Sequence, residues 1–581
     1  MHRRIRGFAI AGVMAAFALG LPACGGNGDD DDNGGARGAA ATEPVSGQKR
    51  GGTLRVQSAE GFEHLDPGSS YFQLDYVAVY AVHRPLYSFR PEDPETPEPD
   101  LASAPPRISA DDRTVTVTIR PGVRFSPPVN REVTSRDVKF AIERGFSPNV
   151  ANGYAPSYFG AIRGADKAKG GPIAGIRTPD DRTIVFELTQ PFGATMAKAL
   201  TLPLSAPVPK EYVEREDLDA KSPTVYDSAP ARQAFTGPYV IAKYTAGKSL
   251  SLARNPNWDP ETDFRPAYLD RIEWTVGADP NVAGRQILTG KGQVNGDTPP
   301  APIVKLAATK HKDQISFTPL GNRYISMNTQ IPPFDDVNVR KAVVAATDRV
   351  ALQLTRGGPI AGEIATHFLA PGAPGFEAAG GAEGPDVDFL DNPRGDMELA
   401  AEYLRRAGHR DGRYSGPPIT MIADNADPAA KSAQVTLQTF QRLGFEVKYR
   451  AVSHETMYSK FCNVPAAKVH VCPNVGWLPD FPDGYAWLYV PFNGKSITPQ
   501  NNANWPQLDD PKVNAAMDRA QAIADEEKRA EAWGEVDRLV TELAAAVPWF
   551  WDNTPNIQSE DVQGVIARWN AAYDISWTSL K

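Results

Sequence analysis

Asp480 stands between Pro479 and Phe481, three residues after Trp477, in a segment from Gly476 to Gly484 that carries no positive side chain. A carboxylate in such a setting is costly to bury unless a cation answers it. A ligand ammonium group would answer it, with the rings of Trp477 and Phe481 supplying cation–π or apolar contact. An Asp beside Pro also caps turns and helices, and spacing alone serves both readings. Other candidate chemistry fails on spacing. Gly247-Lys248-Ser249 and Gly494-Lys495-Ser496 look like the ends of phosphate-binding loops, but Ala242 and Tyr489 stand where the upstream glycine is required. No GxSxG elbow, HExxH helix or EF-hand loop occurs, and the eight histidines are scattered without metal-ligand spacing. No enzymatic activity, cofactor or metal is expected.

The chain has three cysteines. Arg3, Arg4 and Arg6 precede a short apolar run from Phe8 to Leu21, the pattern of an export signal and too short to span a membrane stably. Leu21-Pro22-Ala23-Cys24 then resembles a bacterial lipobox, in which the Cys thiol is lipidated and becomes the first mature residue; the alternative is an ordinary signal peptide that contains a Cys. Arg3-Arg4 fits twin-arginine export poorly. Residues 24–48, rich in Gly, Ala and Asp with the run Asp29-Asp30-Asp31-Asp32, cannot pack and read as a flexible tether. Cys462 and Cys472 remain. In an exported chain they are expected to bridge, with two buried free thiols as the alternative, and such a ring would contribute about 2–3 kcal/mol.

The elements that must position Asp480 follow from hydrophobic period. Ile419–Ala423 reads as a strand, Ala429–Leu443 as a helix closed by Gly444, Phe445–Val452 as a second strand, Glu455–Phe461 as a helix and Val469–Val475 as a third strand. This succession implies parallel pairing with right-handed crossovers, and ligands collect beyond the carboxyl ends of such strands. Asp480 lies in the segment leaving the third strand. Elsewhere, Thr53–Ser58, Arg113–Arg120, Asp181–Leu188, Tyr239–Tyr244, Ser249–Arg254 and Asp270–Val276 read as strands. Leu74–Val82 reads as a helix, Thr134-x-x-Asp137 opens another, Asp335 and Asp336 cap one running through Asp348, and Asp396–Ala407 forms one ending at Gly408. A Pro-rich stretch from Pro91 to Pro106 breaks the pattern. At 581 residues the chain exceeds a single core, and a net charge of -9 without a basic stripe makes nucleic acid an unexpected partner.

About ten short motifs, taken in order, resemble the family 5 extracellular solute-binding proteins, the peptide, dipeptide and nickel-binding group. They are Gly51-Gly52-Thr53-Leu54, Leu65-Asp66-Pro67, His83-Arg84-Pro85-Leu86, Pro99-Asp100-Leu101-Ala102, Arg120-Pro121-Gly122-Val123, Thr134 to Val138, Thr236-Gly237-Pro238-Tyr239 and Arg254-Asn255-Pro256. Tyr268 to Ile272, Asn328-Thr329 through Arg340, Gly476-Trp477 to Asp483 and Ala546 to Trp549 continue the series. Two departures stand out: Ser126 to Asn130 replaces the usual Asp-Gly turn, and Asp483 is followed by Gly484 where the family keeps further acidic positions.

The resemblance implies an α/β fold, a two-lobed periplasmic-binding-protein-like clamp (type II, cluster C-like) with an inserted subdomain in the first lobe. The expected division is a signal peptide at 1–23, a tether at 24–48, the first lobe at 49–91 and 209–300, the inserted subdomain at 92–208, the second lobe at 301–543 and a return to the first lobe at 544–581. It further implies Asp480 as partner of a peptide's α-amino group, with Trp477, Phe481, Tyr71, Phe72 and Asn328 around the ligand, and strand addition to the ligand backbone. The implied role is capture of oligopeptides or peptide-like solutes for an ABC importer, by a monomer anchored outside the cell membrane through a lipid on Cys24. A membrane-tethered peptide or amide hydrolase and a transport-inactive sensing lipoprotein are the competing readings.

Overall fold

The computed structural model describes residues 48–217, 224–568 and 570–581. The expected signal peptide, Cys24 and the expected tether through residue 47 lie outside the described residues. No described helix is long and apolar enough to cross a membrane.

Strand alternation builds the first lobe. Leu54 and Val56 point inward from Thr53–Gln57, as do Leu250, Leu252, Ile272 and Trp274 from neighbouring strands, and all are buried. Their sheet runs Val294–Asn295, Thr53–Gln57, Arg271–Thr275, Ser249–Arg254, Tyr239–Thr245, with Leu54 opposite Ile272 in parallel register. Helix Gln73–Val82 is buried on nearly every side, and its rings and aliphatic side chains join that core.

A second, four-stranded antiparallel sheet pairs Thr114–Thr118 with Thr183–Glu187 and carries Arg107–Ile108 and Ile176–Arg177 at its edges. Helix Ser135–Gly145 packs on it, opened by the Thr134 N–H donating to Asp137 Oδ2 at 2.8 Å. The hairpin preceding it closes without an Asp-Gly turn: the Phe125 N–H donates to the Arg131 carbonyl at 3.0 Å. The Pro-rich stretch is not structureless. Asp93–Pro99 forms a strand against Tyr87–Arg90, an isolated two-stranded ribbon in which prolines are tolerated because one edge needs no ladder donors.

The second lobe holds a six-stranded sheet, ordered Gly362–Glu363, Ala546–Ile557, Ile315–Met327, Val471–Trp477, Ile419–Asp424, Val447–Val452. Its last three strands are parallel, as the strand–helix alternation requires. Helix Ala429–Leu443 covers them with Ala433, Phe440 and Leu443 and ends at Gly444, whose φ of 99° disfavours a side chain and where a Cβ would lie 2.8 Å from the Tyr414 carbonyl oxygen. Two expected helices differ. Thr347 ends the first at Ala346, because Asp348 accepts the Ala351 N–H and caps a separate helix Arg349–Thr355. The helix expected over Glu455–Phe461 is α-helical only at His454–Met457 and widens into a π turn over Tyr458–Cys462. Cys462 is disulfide-bonded to Cys472, with Cα atoms 6.3 Å apart, which ties this turn to strand Val471–Trp477.

Strands Ile315–Met327 and Ala546–Ile557 run antiparallel along most of their length, from Ser326 opposite Ala546 to Ile315 opposite Ile557. At the latter end Ile315 and Ile557 pack with Ile287, Leu288, Ile303 and Ala307, and Gln558 bridges to Val294 of the first sheet. This crossing pair joins the two lobes.

Candidate functional site

The loop after strand Val471–Trp477 carries two aspartates with different duties. Asp483 accepts the Tyr485 N–H at 2.9 Å, so it caps helix Gly484–Phe492, and it is ion-paired to Arg529 at 3.0 Å and to Lys198 at 3.4 Å. Asp480 caps nothing. Only 2% exposed, its Oδ2 accepts the Tyr71 hydroxyl at 2.7 Å and the Tyr158 hydroxyl at 2.5 Å. Among the described residues no cationic side chain reaches it and no hydrogen bond is made to Oδ1. Burial pushes its carboxyl up to about 7, and the two hydroxyls only partly oppose that rise. Burial and the Asp480 charge in turn hold both tyrosines far above the ordinary phenol range, so they remain donors.

Asp480 lies at one end of a cavity of about 140 Å³ between the lobes. Tyr71 and Trp477 line it edge-to-face, with centroids 5.8 Å apart. Phe72 also lines it and stacks at 4.3 Å on His454 of the second lobe, and Tyr458 closes the cluster, 4.3 Å from His454 and 5.5 Å from Phe72. Small-ligand sites measure roughly 300–1,000 Å³. A ligand of that size therefore enters only as the lobes part.

The far end is charged. His454 Nδ1 lies 3.1 Å from Asp424 Oδ1 and 3.7 Å from Glu60, while its Nε2 is buried without a partner among the described residues. Burial opposes the imidazolium, but Glu60 and Asp424 outweigh it and carry the ring up to about 10. Arg323 donates through Nε to Asp552 Oδ2 at 2.5 Å, with its guanidinium laid across Gly476, where a Cβ would meet Nη1 at 2.0 Å. Arg356 approaches Asp552 at 3.6 Å and donates to Thr298 at 3.2 Å. Asp297 accepts the Ala59 and Glu60 N–H groups at 2.7 and 2.8 Å; burial, then Glu60, pushes it up to about 7.

Of the residues expected around the ligand, Asp480, Trp477, Tyr71 and Phe72 thus line one cavity. Phe481 does not: it is fully buried and packs on Tyr158 at 5.2 Å. Asn328 does not either. Strand register places Asn322 opposite Trp477 at the cavity and Met327 opposite Val471, so Asn328 lies past the other end, about 17 Å along the strand from Arg323. There its N–H donates to the His470 carbonyl at 2.9 Å and its side chain to the Val469 carbonyl at 3.3 Å. Spacing missed Tyr158, Glu60, Asp297, Arg323, Arg356, Asp424, His454 and Asp552. Of these only Asp424, at the carboxyl end of a parallel strand, carried a sequence signal.

Residues 96–499 match the family model for bacterial extracellular solute-binding proteins, family 5, middle region. The chain is 25% identical over 493 residues to the oligopeptide-binding protein OppA of Bacillus subtilis, covering 81% of this chain and 82% of that one. It is 24% identical over 456 residues to di/tripeptide-binding protein 3 of Pseudomonas aeruginosa, covering 76% and 79%. Among solved structures, clavulanic acid biosynthesis oligopeptide binding protein 2 superposes with a TM-score of 0.74 at 30% identity, over 94% of this chain and 98% of that one. A family match over most of the chain, on a two-lobed fold whose cavity lies between the lobes, places this protein among the family 5 bacterial extracellular solute-binding proteins.

Proposed function

We propose that this chain captures peptides in the interlobe cavity and presents them to an ABC importer, without making or breaking bonds. The observation that carries this reading is the Asp480 carboxylate: buried, oriented by two hydroxyls and answered by no cation among the described residues. A peptide's α-ammonium supplies that charge. Arg356, whose Nε is buried without an acceptor among the described residues, stands ready for a ligand oxygen. Strand Val471–Trp477 lines the cavity with Val475, Gly476 and Trp477 and offers backbone for strand addition. The relatives named for oligopeptides and di/tripeptides agree with this class of ligand. In this reading the protein works as a monomer outside the cell membrane, held by a lipid on Cys24, with the first lobe at 49–91 and 209–300 carrying the subdomain 92–208.

Calorimetric titration with peptides, each as the free amine and as its N-acetyl form, tests the reading. The free amine is expected to bind at least roughly tenfold tighter, since a buried carboxylate then gains its counter-charge. Equal binding of the two forms, or recovery of cleaved peptide, would sink it. Cys24→Ser is expected to release the protein from the membrane fraction, which an immunoblot of fractionated cells reads.

A further inference from the structure

The cavity carries an unbalanced charge. Glu60, Asp297, Asp424, Asp480 and Asp552 line it against Arg323, Arg356 and His454. Even with the imidazole protonated, five carboxylates face three cations. The pairing shows where the excess sits. Asp552 is answered by Arg323 at 2.5 Å and approached by Arg356, and Asp424 by His454 at 3.1 Å. Glu60 is the least answered of these: among the described residues its one ion pair is with His454 Nδ1 at 3.7 Å, a cation that Asp424 holds more closely at 3.1 Å, and no described residue donates a hydrogen bond to its carboxylate. Its side chain is 20% exposed, opening onto the cavity, and Asp297 adds a second carboxylate beside it by holding the Glu60 N–H.

A zwitterionic peptide does not repair this. Its ammonium answers Asp480, but its carboxylate returns the charge, and the sheltered excess at Glu60 remains. Leaving such charges under-compensated in a sheltered space is unfavourable, so closure around a neutral ligand is disfavoured. A ligand with one more positive group removes that penalty. Asp297, held near neutrality by burial and by Glu60, supplies the rest of the balance.

Resting on the peptide reading above, we propose that the captured peptide is net cationic, with its α-ammonium at Asp480 and a lysine or arginine side chain directed to Glu60 and Asp297. Glu60 is then the specificity-determining residue, and Asp480 the residue common to all peptide ligands.

The test is a calorimetric comparison of alanine tetrapeptides with a free amino terminus, in which each later position in turn carries lysine or its uncharged isostere norleucine. The lysine peptide is expected to bind roughly tenfold tighter or more at one position. Glu60→Gln, and separately Asp297→Asn, are expected to shrink that preference, the lysine peptide losing affinity while tetra-alanine does not, with thermal unfolding followed by circular dichroism showing that the variants fold. Norleucine binding as tightly as lysine at every position overturns the cationic preference and leaves the peptide reading standing. A lysine preference that survives both substitutions overturns the assignment to Glu60 and Asp297. Failure of every free-amine peptide to bind overturns both readings.

Discussion

Two groups of buried charge in this molecule make opposite use of the same residue types. In the first lobe Arg84, Asp100, Asp263 and Arg265 are all about 1% exposed or less, and each carboxylate is met by both guanidiniums: Arg84 lies 2.6 Å from Asp100 and 3.6 Å from Asp263, Arg265 3.1 and 2.9 Å from the same pair. Two negative charges meet two positive ones. Burial works against the Asp263 carboxylate, yet Arg265 and Arg84 outweigh it and hold the group below its ordinary range. Asp480 is buried as deeply, finds only hydroxyls, and moves the other way, up to about 7. Burial alone therefore does not separate a structural charge from a binding one. Closure of the charge account does: where the chain supplies every counter-ion the group holds the fold, and where it leaves one out the group waits for a ligand.

The contrast predicts that stability and affinity can be broken separately. The largest effect falls on the balanced cluster. Asp263→Asn leaves Arg265 and Arg84 with one carboxylate between them, and is expected to lower unfolding free energy by about 3–5 kcal/mol in urea titrations. Peptide affinity in the folded fraction should not change. Asp480→Asn is expected to do the reverse, weakening peptide binding by about 2–4 kcal/mol in calorimetry while leaving the unfolding midpoint unchanged or higher. Comparable losses of stability in both variants would erase the distinction between the two groups.

How much of this was legible in the sequence depends on how local each signal is. The parallel strands of the second lobe and the helix Ala429–Leu443 announce themselves by period and by Gly444, because those signals lie within one element. Asp480 was legible for the same reason: Trp477, Pro479 and Phe481 surround it in the chain. Its partner Tyr158 was not, since it comes from a short helix, Ala155–Phe159, some 320 residues away and reaches the site only through tertiary packing. The charged end is the extreme case. Glu60, Asp297, Arg323, Asp424, His454 and Asp552 belong to separate elements of both lobes, each an ordinary polar residue in its own segment. Asn328 shows the converse: the motif resemblance puts it at the ligand, but it follows strand Ile315–Met327, whose register carries it to the far end.

A smaller effect sharpens the contrast through pH. An ammonium ion pairs with the Asp480 carboxylate and not with the carboxylic acid, so peptide affinity is expected to hold above pH 7 and to fall below it, approaching about tenfold per unit. The stability term has the opposite slope. With a folded value of about 7 against an ordinary 3.8, the folded chain binds more protons at Asp480 than the unfolded chain between those limits. Its contribution to stability therefore falls as pH rises through that window and is lowest above pH 7. Asp480→Asn should flatten both dependences. Asp263, with its value lowered rather than raised, contributes stability above its ordinary range that is lost only on strong acidification.

The smallest effect tests whether the cleft tolerates a further imbalance that the first-lobe cluster would not. The Arg323 guanidinium occupies the space over Gly476, and an alanine Cβ there would lie 2.0 Å from Nη1. Gly476 has no left-handed backbone to protect, and its obstacle is the far end of a flexible side chain, so Gly476→Ala is expected to fold with a loss of about 1 kcal/mol, the low end for overpacking. The displaced guanidinium leaves Asp552 with only Arg356 nearby, at 3.6 Å. One more carboxylate then goes unanswered in the cavity, and the preference for lysine over norleucine peptides should widen by a few-fold while tetra-alanine binds less well. If the preference narrows instead, Arg323 orders the cavity wall and does not set its charge, and the cleft obeys the same rule of closure as the Arg84–Asp263 cluster.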